Sequence, residues 1–235
     1  MANCVFNTIK ITGKNEDIEK YLSDANKYEN GTIRFSSWIP VPETFIKYDT
    51  TNYPNGEGLE IGKPFPFVDD NAPIVTQELI DEYKAATKLQ MEQYGVVGWY
   101  DYNCKTYGCK WDSGLEIKSQ YDGELTLYCN TPWSPPINFF LTMSERYPEL
   151  SFKVDSDSVE SGFGAVYLLE NGSGTVLESG EYYDGVYIRD DEKLRILIRK
   201  TWLWLRYNCI YRPKWFLSDL LLKLRKTEPD DELPF

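Results

Sequence analysis

The chain contains no histidine among its 235 residues. This absence excludes Ser-His-Asp and Cys-His nucleophile activation, zinc or iron held by histidine, and the commonest general acid or base at neutral pH. Any catalysis would rest on carboxylates, lysine, tyrosine or cysteine, and no pattern of these residues marks a catalytic centre. The sequence therefore predicts a protein that is not an enzyme and carries no cofactor.

The cysteines give no sign of a disulfide framework or a metal site. There are five, an odd number, and no two have the CxxC spacing of a zinc ribbon. They lie at Cys4, Cys104, Cys109, Cys129 and Cys209. Because reduced thiols are typical of a reducing compartment, we expect a cytoplasmic protein, in the cytosol of a host cell.

Long apolar runs are also missing. Residues 125–144 carry no charge over a length that could span a membrane, but Pro132, Pro135 and Pro136 interrupt the run. The first residues show neither the basic nor the apolar region of a secretory signal. We therefore expect no transmembrane segment.

Acidic side chains are in excess, with a formal net charge of −12, and they are unevenly distributed. Residues 1–188 hold 14 basic and 29 acidic side chains, residues 189–226 hold 11 and 4, and residues 227–235 hold none and 4. Because affinity for phosphates comes mainly from lysine and arginine, we expect no direct DNA binding by the acidic body.

The first half of the chain starts with regular elements. Residues 3–12 alternate apolar and polar side chains, which predicts a strand. Residues 15–28 follow at helical spacing, with Asn15 at the N-cap position. A short β-like run at 32–38 comes next.

A long insertion follows, at about 44–112. Its first part, 44–75, is rich in Asn, Gly, Pro and Asp, which predicts an irregular excursion. Thr76 then caps a helical stretch that runs to Tyr94 and Gly95.

The second half predicts a hairpin, a helix and further strands. The Asp122-Gly123 pair between two alternating runs is a strong hairpin signal. Pro135 and Pro136 open a helix that ends at Tyr147. Three more strands are predicted, at 151–155, 164–169 and 175–180. Residues 1–188 therefore predict an α+β domain with extra antiparallel strands.

A basic, amphipathic helical hairpin is predicted at 189–227, before an acidic tail at 228–235. Its arginines Arg195, Arg199 and Arg206 lie on a different face from its apolar stripe. They could bind an acidic partner, a phosphate-bearing ligand or a membrane surface. The alternative is that the apolar stripe packs on the body or on a second copy, which would make a homo-oligomer through these helices.

Seven short motifs together resemble a known family. They are residues 3–13, 39–43, 99–103, 107–112, 131–136, 147–148 and 162–164. Over roughly residues 1–170 they resemble the YubB-type ferredoxin-like domain family of phage and plasmid proteins. The resemblance implies a ferredoxin-like α/β sandwich without an iron–sulfur cluster, and it implies no established activity. The chain departs from the family pattern at Tyr102 and Tyr107, where Trp is usual, and at Cys109, where Thr is usual.

The candidate site is the aromatic segment 99–112. It places five aromatic rings, including Tyr100, beside an amide, an ammonium and a carboxylate, and one further Trp follows the hairpin. The candidate binding residues are Trp99, Tyr102, Asn103, Tyr107, Lys110, Trp111, Asp112 and Trp133. Such rings can stack a planar ligand. The alternative is that they fasten the insertion to the sheet.

These features predict a non-enzymatic accessory protein of a phage or other mobile element that binds a host component, with host defence as one expected target. The partner would be a host protein or a small nucleotide. A first alternative is a sponge that sequesters a nucleotide signal in an aromatic pocket. A second is an acidic decoy that mimics nucleic acid.

Overall fold

The computed structural model describes residues 3–25, 32–66, 72–183 and 186–190. The chain divides into two compact units, Met1–Tyr187 and Ile188–Phe235. The predicted helical hairpin with Arg195, Arg199 and Arg206 and the predicted acidic tail lie outside the described residues. Of the described helices, none is long and apolar enough to cross a membrane.

The described residues form eight strands and five α-helices. The strands are β1 (Cys4–Thr12), β2 (Ile33–Arg34), β3 (Gly114–Tyr121), β4 (Glu124–Pro132), β5 (Ser151–Ser158), β6 (Phe163–Glu170), β7 (Ser173–Tyr183) and β8 (Val186–Arg189). The helices are α1 (Asn15–Ser23), α2 (Glu43–Lys47), α3 (Gln77–Tyr94), α4 (Gly98–Tyr107) and α5 (Ile137–Arg146), with short 3₁₀ helices at Phe35–Ser37 and Pro54–Gly56.

The sheet has the strand order β2-β3-β4-β1-β5-β6-β7-β8, and its neighbours from β2 to β7 are antiparallel. Within it, β1-α1-β3-β4-α5-β5 forms a βαββαβ unit with the spatial order β5-β1-β4-β3. This is the ferredoxin-like topology, and β6 and β7 extend it beyond β5. The predicted α+β fold and the predicted extra antiparallel strands are confirmed.

The central strand β1 alternates buried and exposed side chains, so one of its faces packs against the core. Val5, Ile9 and Ile11 are fully buried and alternate with outward-facing side chains. The buried Asn7 joins three strands through its amide, because Nδ2 donates to the Cys129 carbonyl at 3.2 Å and Oδ1 accepts from the Ser156 hydroxyl at 2.8 Å. A buried amide with these partners avoids the cost of an unsatisfied polar group.

The main core lies between the sheet and helices α1 and α5. It is rich in aromatic rings, and Phe35, Phe139 and Phe140 are fully buried. On α5 the inward face is Phe139, Phe140, Met143 and Ser144. The helix predicted to start at Pro135-Pro136 is therefore present, and its inward face is set by the rings that meet Phe35.

The long insertion between α1 and β3 builds a second, smaller core. The predicted helix is α3, whose Thr76 hydroxyl accepts from the Leu79 N–H and whose C-cap Gly95 has φ 66°. The stretch predicted as irregular contains the short helix α2 as well. The buried members of the second core are Tyr53, Leu59, Val75 and Tyr83.

Two local predictions are wrong. Asn15 does not cap α1, because Lys14 holds the N-cap position and the Asn15 side chain accepts from the Gly123 N–H at 2.7 Å. That bond ties the start of α1 to the β3–β4 turn. The β-like run at 32–38 is a strand only at Ile33–Arg34, since the next three residues form a 3₁₀ helix.

Candidate binding site

Helix α4 carries most of the predicted aromatic segment, and two glycines set its ends. Gly98 has φ 83°, and a Cβ there would lie within 2.7 Å of the Thr51 backbone. Gly108 has φ 85° and lies against the start of α5, where a Cβ would meet backbone atoms at 3.1 to 3.2 Å. Only glycine fits such a combination of left-handed backbone and close approach. The helix is therefore held tightly against its neighbours.

Two predicted ligand-stacking rings are interior residues. Tyr107 is fully buried between Phe35 and Phe139, and its hydroxyl donates to the Ile39 carbonyl at 2.7 Å. Tyr102 is only 7% exposed and packs against Phe45. Neither ring has an open face for a ligand, so the prediction that they bind one is corrected to a packing role.

Asn103 and Asp112 hold the loop that follows α4. The buried Asn103 side chain donates from Nδ2 to the Lys110 carbonyl at 2.9 Å. The Asp112 carboxylate accepts from the Ser36 N–H at 2.9 Å and from the Ser36 hydroxyl at 2.6 Å. These bonds fix the backbone around Lys110 and Trp111, so both residues position the site.

The remaining predicted residues come together around one ammonium group. Lys110 Nζ lies 5.0 Å from the ring centroid of Trp133, 5.8 Å from that of Trp111 and 5.9 Å from that of Trp99. A fourth ring, Tyr100, is also 5.9 Å away. We call these five side chains the Lys110 cluster. A cation within about 6 Å of an aromatic face is attracted by the quadrupole of the ring.

The Lys110 cluster is accessible to solvent. Trp111 is 49% exposed and Trp133 is 47% exposed, whereas Trp99, Tyr100 and Lys110 are half-buried. Over the part of the chain that the structure describes, no carboxylate lies within ion-pair distance of Lys110. Within the described residues, its ammonium lies among four aromatic rings.

The backbone at Trp133 is strained. Its φ is 64°, a left-handed value that is rare for a bulky residue. The Trp133 N–H donates to the Asn3 carbonyl at 2.9 Å, and the next residue, Ser134, donates from its hydroxyl to the Gly108 carbonyl at 2.7 Å. The surrounding bonds thus hold the backbone at Trp133 in place, and strain of this kind is concentrated at functional sites.

A cleft adjoins the cluster on the side of the insertion. Its volume is about 410 Å³, and Trp99 is shared between the cleft and the cluster. Its walls include Pro40, Val41 and Phe45 beside the polar Ser36. The volume falls in the range of small-molecule pockets, and the walls are mainly apolar.

The thiols near the cluster have no metal-binding arrangement. Among the described residues, no three or more His, Cys, Asp or Glu side chains are grouped to hold a metal ion. Burial raises the pKa of Cys109 to about 12, so its thiol stays protonated at neutral pH. Cys104 is half-buried, and burial raises its pKa as well.

Sequence reasoning missed the part played by Tyr100. The sequence pattern predicts an aromatic segment without a helix, whereas Gly98–Tyr107 forms α4. Helical spacing places Tyr102, Asn103 and Tyr107 on the inward side of α4 and leaves Tyr100 half-exposed. A helical periodicity test over Gly98–Tyr107 would have separated the packing tyrosines from the surface one.

A match to a known domain family supports the ferredoxin-like fold. Residues 106–194 match the family described as the ferredoxin-like domain in Api92-like protein. Among solved structures, the chain is similar to a protein api92 from Yersinia pseudotuberculosis, with 13% sequence identity and a TM-score of 0.43. That similarity covers 79% of this chain and 100% of the api92 chain. No curated protein sequence matches. The chain thus contains a region similar to the ferredoxin-like domain of Api92-like proteins.

Proposed function

We propose that this chain is a non-catalytic binding protein, an accessory protein of the mobile-element type, and that it binds a host protein through the Lys110 cluster. The observation that carries the proposal is the gathering of four aromatic rings around one ammonium, with two tryptophans about half exposed. The resemblance to phage and plasmid proteins is what supports the mobile-element origin.

The half-exposed tryptophans leave apolar surface that a partner can bury. Each indole has a large apolar surface, and burying it against a partner gives roughly 25 cal/mol per Å². Tryptophan and tyrosine are enriched among the residues that dominate binding energy at protein interfaces. The bonds made by Trp133, Asn103 and Asp112 fix the backbone around Lys110, Trp111 and Trp133, which lowers the entropy lost on binding.

A small nucleotide is the second candidate partner. The cleft of about 410 Å³ lined by Trp99 favours it, since a planar base could enter there and Lys110 Nζ lies 5.9 Å from the Trp99 ring centroid. Such a ligand would need Lys110 as a direct partner for its phosphate. The two candidates therefore differ in what they require of Lys110.

The proposal is tested by affinity capture from a lysate of the cells that carry the gene, with mass spectrometry of proteins and small molecules. Three full-length proteins are compared: the wild-type chain, the double variant Trp111→Ala/Trp133→Ala, and Tyr121→Ala. Tyr121 is 71% exposed in the β3–β4 hairpin. Trp133 follows the opposite end of β4, roughly 30 Å away at 3.3 Å per residue. Tyr121→Ala is therefore a matched control for the loss of an exposed ring.

We expect one component to be enriched by the wild type and by Tyr121→Ala and to be lost with the double variant. Equal capture by all three proteins would contradict a role for the cluster. Turnover of a nucleotide or peptide that disappears when one carboxylate is replaced would contradict the non-catalytic assignment.

A further inference from the structure

We propose that the four rings of the Lys110 cluster are a receptor for a cationic side chain of a basic partner, and that Lys110 is a tethered occupant which the partner displaces. This inference rests on the proposed function and names the chemistry of the partner: an arginine or lysine side chain presented on a basic protein surface.

The four rings are arranged around a single nitrogen atom. Cation–π pairs occur about once per 70–80 residues in proteins, and they usually involve one ring. Here four centroids lie between 5.0 and 5.9 Å from one nitrogen. Rings converging on one point are the arrangement by which proteins recognise ammonium ligands. The geometry therefore matches a cation receptor that its own lysine occupies.

The described residues hold the Lys110 side chain only weakly. In the described part of the chain, neither an ion pair nor a hydrogen bond holds its Nζ. The backbone of Lys110 is fixed separately, because its carbonyl accepts from Asn103 Nδ2 at 2.9 Å. A flexible four-carbon stem can then swing the ammonium into water while the rings and the loop stay in place. Among the described residues, leaving the receptor costs the attraction of the four rings.

The net charge of residues 1–188 is negative, which favours a basic partner. Residues 1–188 carry 14 basic and 29 acidic side chains, so the body attracts basic partners. The exposed Asp101 follows Tyr100 in the chain and acts electrostatically on it. Asp112 follows Trp111 in the chain, within the same loop. An incoming guanidinium thus meets four aromatic faces on an acidic part of the chain, and guanidinium stacks on such faces while being only weakly hydrated.

The nucleotide alternative predicts the opposite dependence on Lys110. If the cluster bound a phosphate, the ammonium would be a direct partner, and its removal would weaken binding. If the cluster binds a cation, the ammonium is a competitor, and its removal frees the receptor for the partner. Replacing Lys110 therefore gives effects of opposite sign in the two cases.

The test uses the full chain and two probes, a short arginine-containing peptide and adenosine monophosphate. Binding is followed through the indole N–H resonances of Trp99, Trp111 and Trp133, at about 0.5 M salt so that nonspecific charge attraction is screened. The variants are Lys110→Met, which keeps the chain length, and Trp111→Ala/Trp133→Ala. Lys118→Met is the control, since Lys118 lies over the single ring of Tyr128 and pairs with Glu116.

We expect Lys110→Met to bind the arginine peptide on the order of 3- to 10-fold more tightly than the wild type. The double tryptophan variant should lose this binding, and Lys118→Met should leave it unchanged. Unchanged urea denaturation midpoints would show that the variants are folded.

Two results would overturn the inference. One is binding of adenosine monophosphate by the wild type that Lys110→Met abolishes, which would make the cluster an anion site. The other is an arginine peptide that shifts no indole resonance in any variant. If lysate capture still depended on Trp111 and Trp133 in either case, the proposed function would stand and only the cationic partner would be rejected.

Discussion

Among the described residues, one gathering of aromatic rings lies inside the main core and another lies at the surface. In the interior, Phe35, Phe139 and Phe140 meet at centroid distances of 4.6 to 6.4 Å and are fully buried. At the surface, the rings of the Lys110 cluster are arranged around a charge, and Trp111 and Trp133 are about half exposed. The difference shows that aromatic content alone does not identify a core.

The two groups differ in the partners of their polar atoms. In the interior, Trp38 Nε1 donates to the Tyr21 carbonyl at 2.9 Å, and the Tyr107 hydroxyl donates to the Ile39 carbonyl at 2.7 Å. A buried indole N–H or phenol O–H usually has such a partner. At the surface, one ammonium is shared among four ring faces, and water can reach it. The interior group stabilises the fold, and the surface group remains open to a ligand.

The largest expected effect comes from the interior group. Phe139→Ala removes a fully buried ring that contacts Phe35, Trp38, Tyr107 and Phe140. We expect the free energy of unfolding to fall by about 3–5 kcal/mol, because the loss of buried area leaves a cavity. Urea denaturation followed by far-UV circular dichroism measures this. A loss below about 1 kcal/mol would mean that the interior rings are not the main support of the fold.

A smaller effect is expected from two hydroxyl groups within the interior. Tyr21 and Tyr107 are both fully buried, but among the described residues the Tyr21 hydroxyl has no hydrogen-bond partner, and burial raises the pKa of Tyr21 well above its usual value. Tyr21→Phe should leave the free energy of unfolding unchanged or raise it by up to about 1 kcal/mol. Tyr107→Phe should lower it by about 1–2 kcal/mol, because the Ile39 carbonyl loses a donor. The same denaturation measurement compares them, and equal losses would contradict this distinction.

The smallest effect concerns the surface group. Trp133→Ala and Trp133→Gly both remove the exposed indole, but only glycine relieves the left-handed backbone at φ 64°. We expect the glycine variant to be about 1 kcal/mol more stable than the alanine variant. Thermal denaturation of the two proteins measures the difference. If alanine were the more stable residue, the backbone of the free protein would not adopt this conformation.

The sequence predicted the regular parts of the fold well because their signals are local. The alternation in β1, the Asp122-Gly123 turn and the Thr76 cap of α3 each depend on neighbouring residues. Helix α4 was missed because its aromatic residues have only moderate helix propensity and two glycines bound it. Tertiary packing against Thr51 and the start of α5 decides its conformation, and neither contact is visible in the sequence.

For the candidate site, the sequence predicts the segment in which several rings meet but not the role of each ring. Trp99, Lys110, Trp111 and Trp133 do meet, although Trp133 is separated from the others by the hairpin. The register Cys4↔Pro132 places the end of β4 beside the start of β1, next to the turn that holds Trp133. The separation of Tyr102 from Tyr100 depends on which side of α4 faces Phe45, which only the packed structure shows.

The position of β1 has a consequence for how the protein is made. Its partner β4 lies 112 to 128 residues further along the chain, from Thr12↔Glu124 to Cys4↔Pro132, and β5 comes later still. At a synthesis rate of 5–20 residues per second, this strand leaves the ribosome roughly 6 to 25 seconds before either neighbour exists. During that interval its Val5, Ile9 and Ile11 side chains are without their final neighbours, and a chaperone that shields a nascent apolar strand would have its main target there.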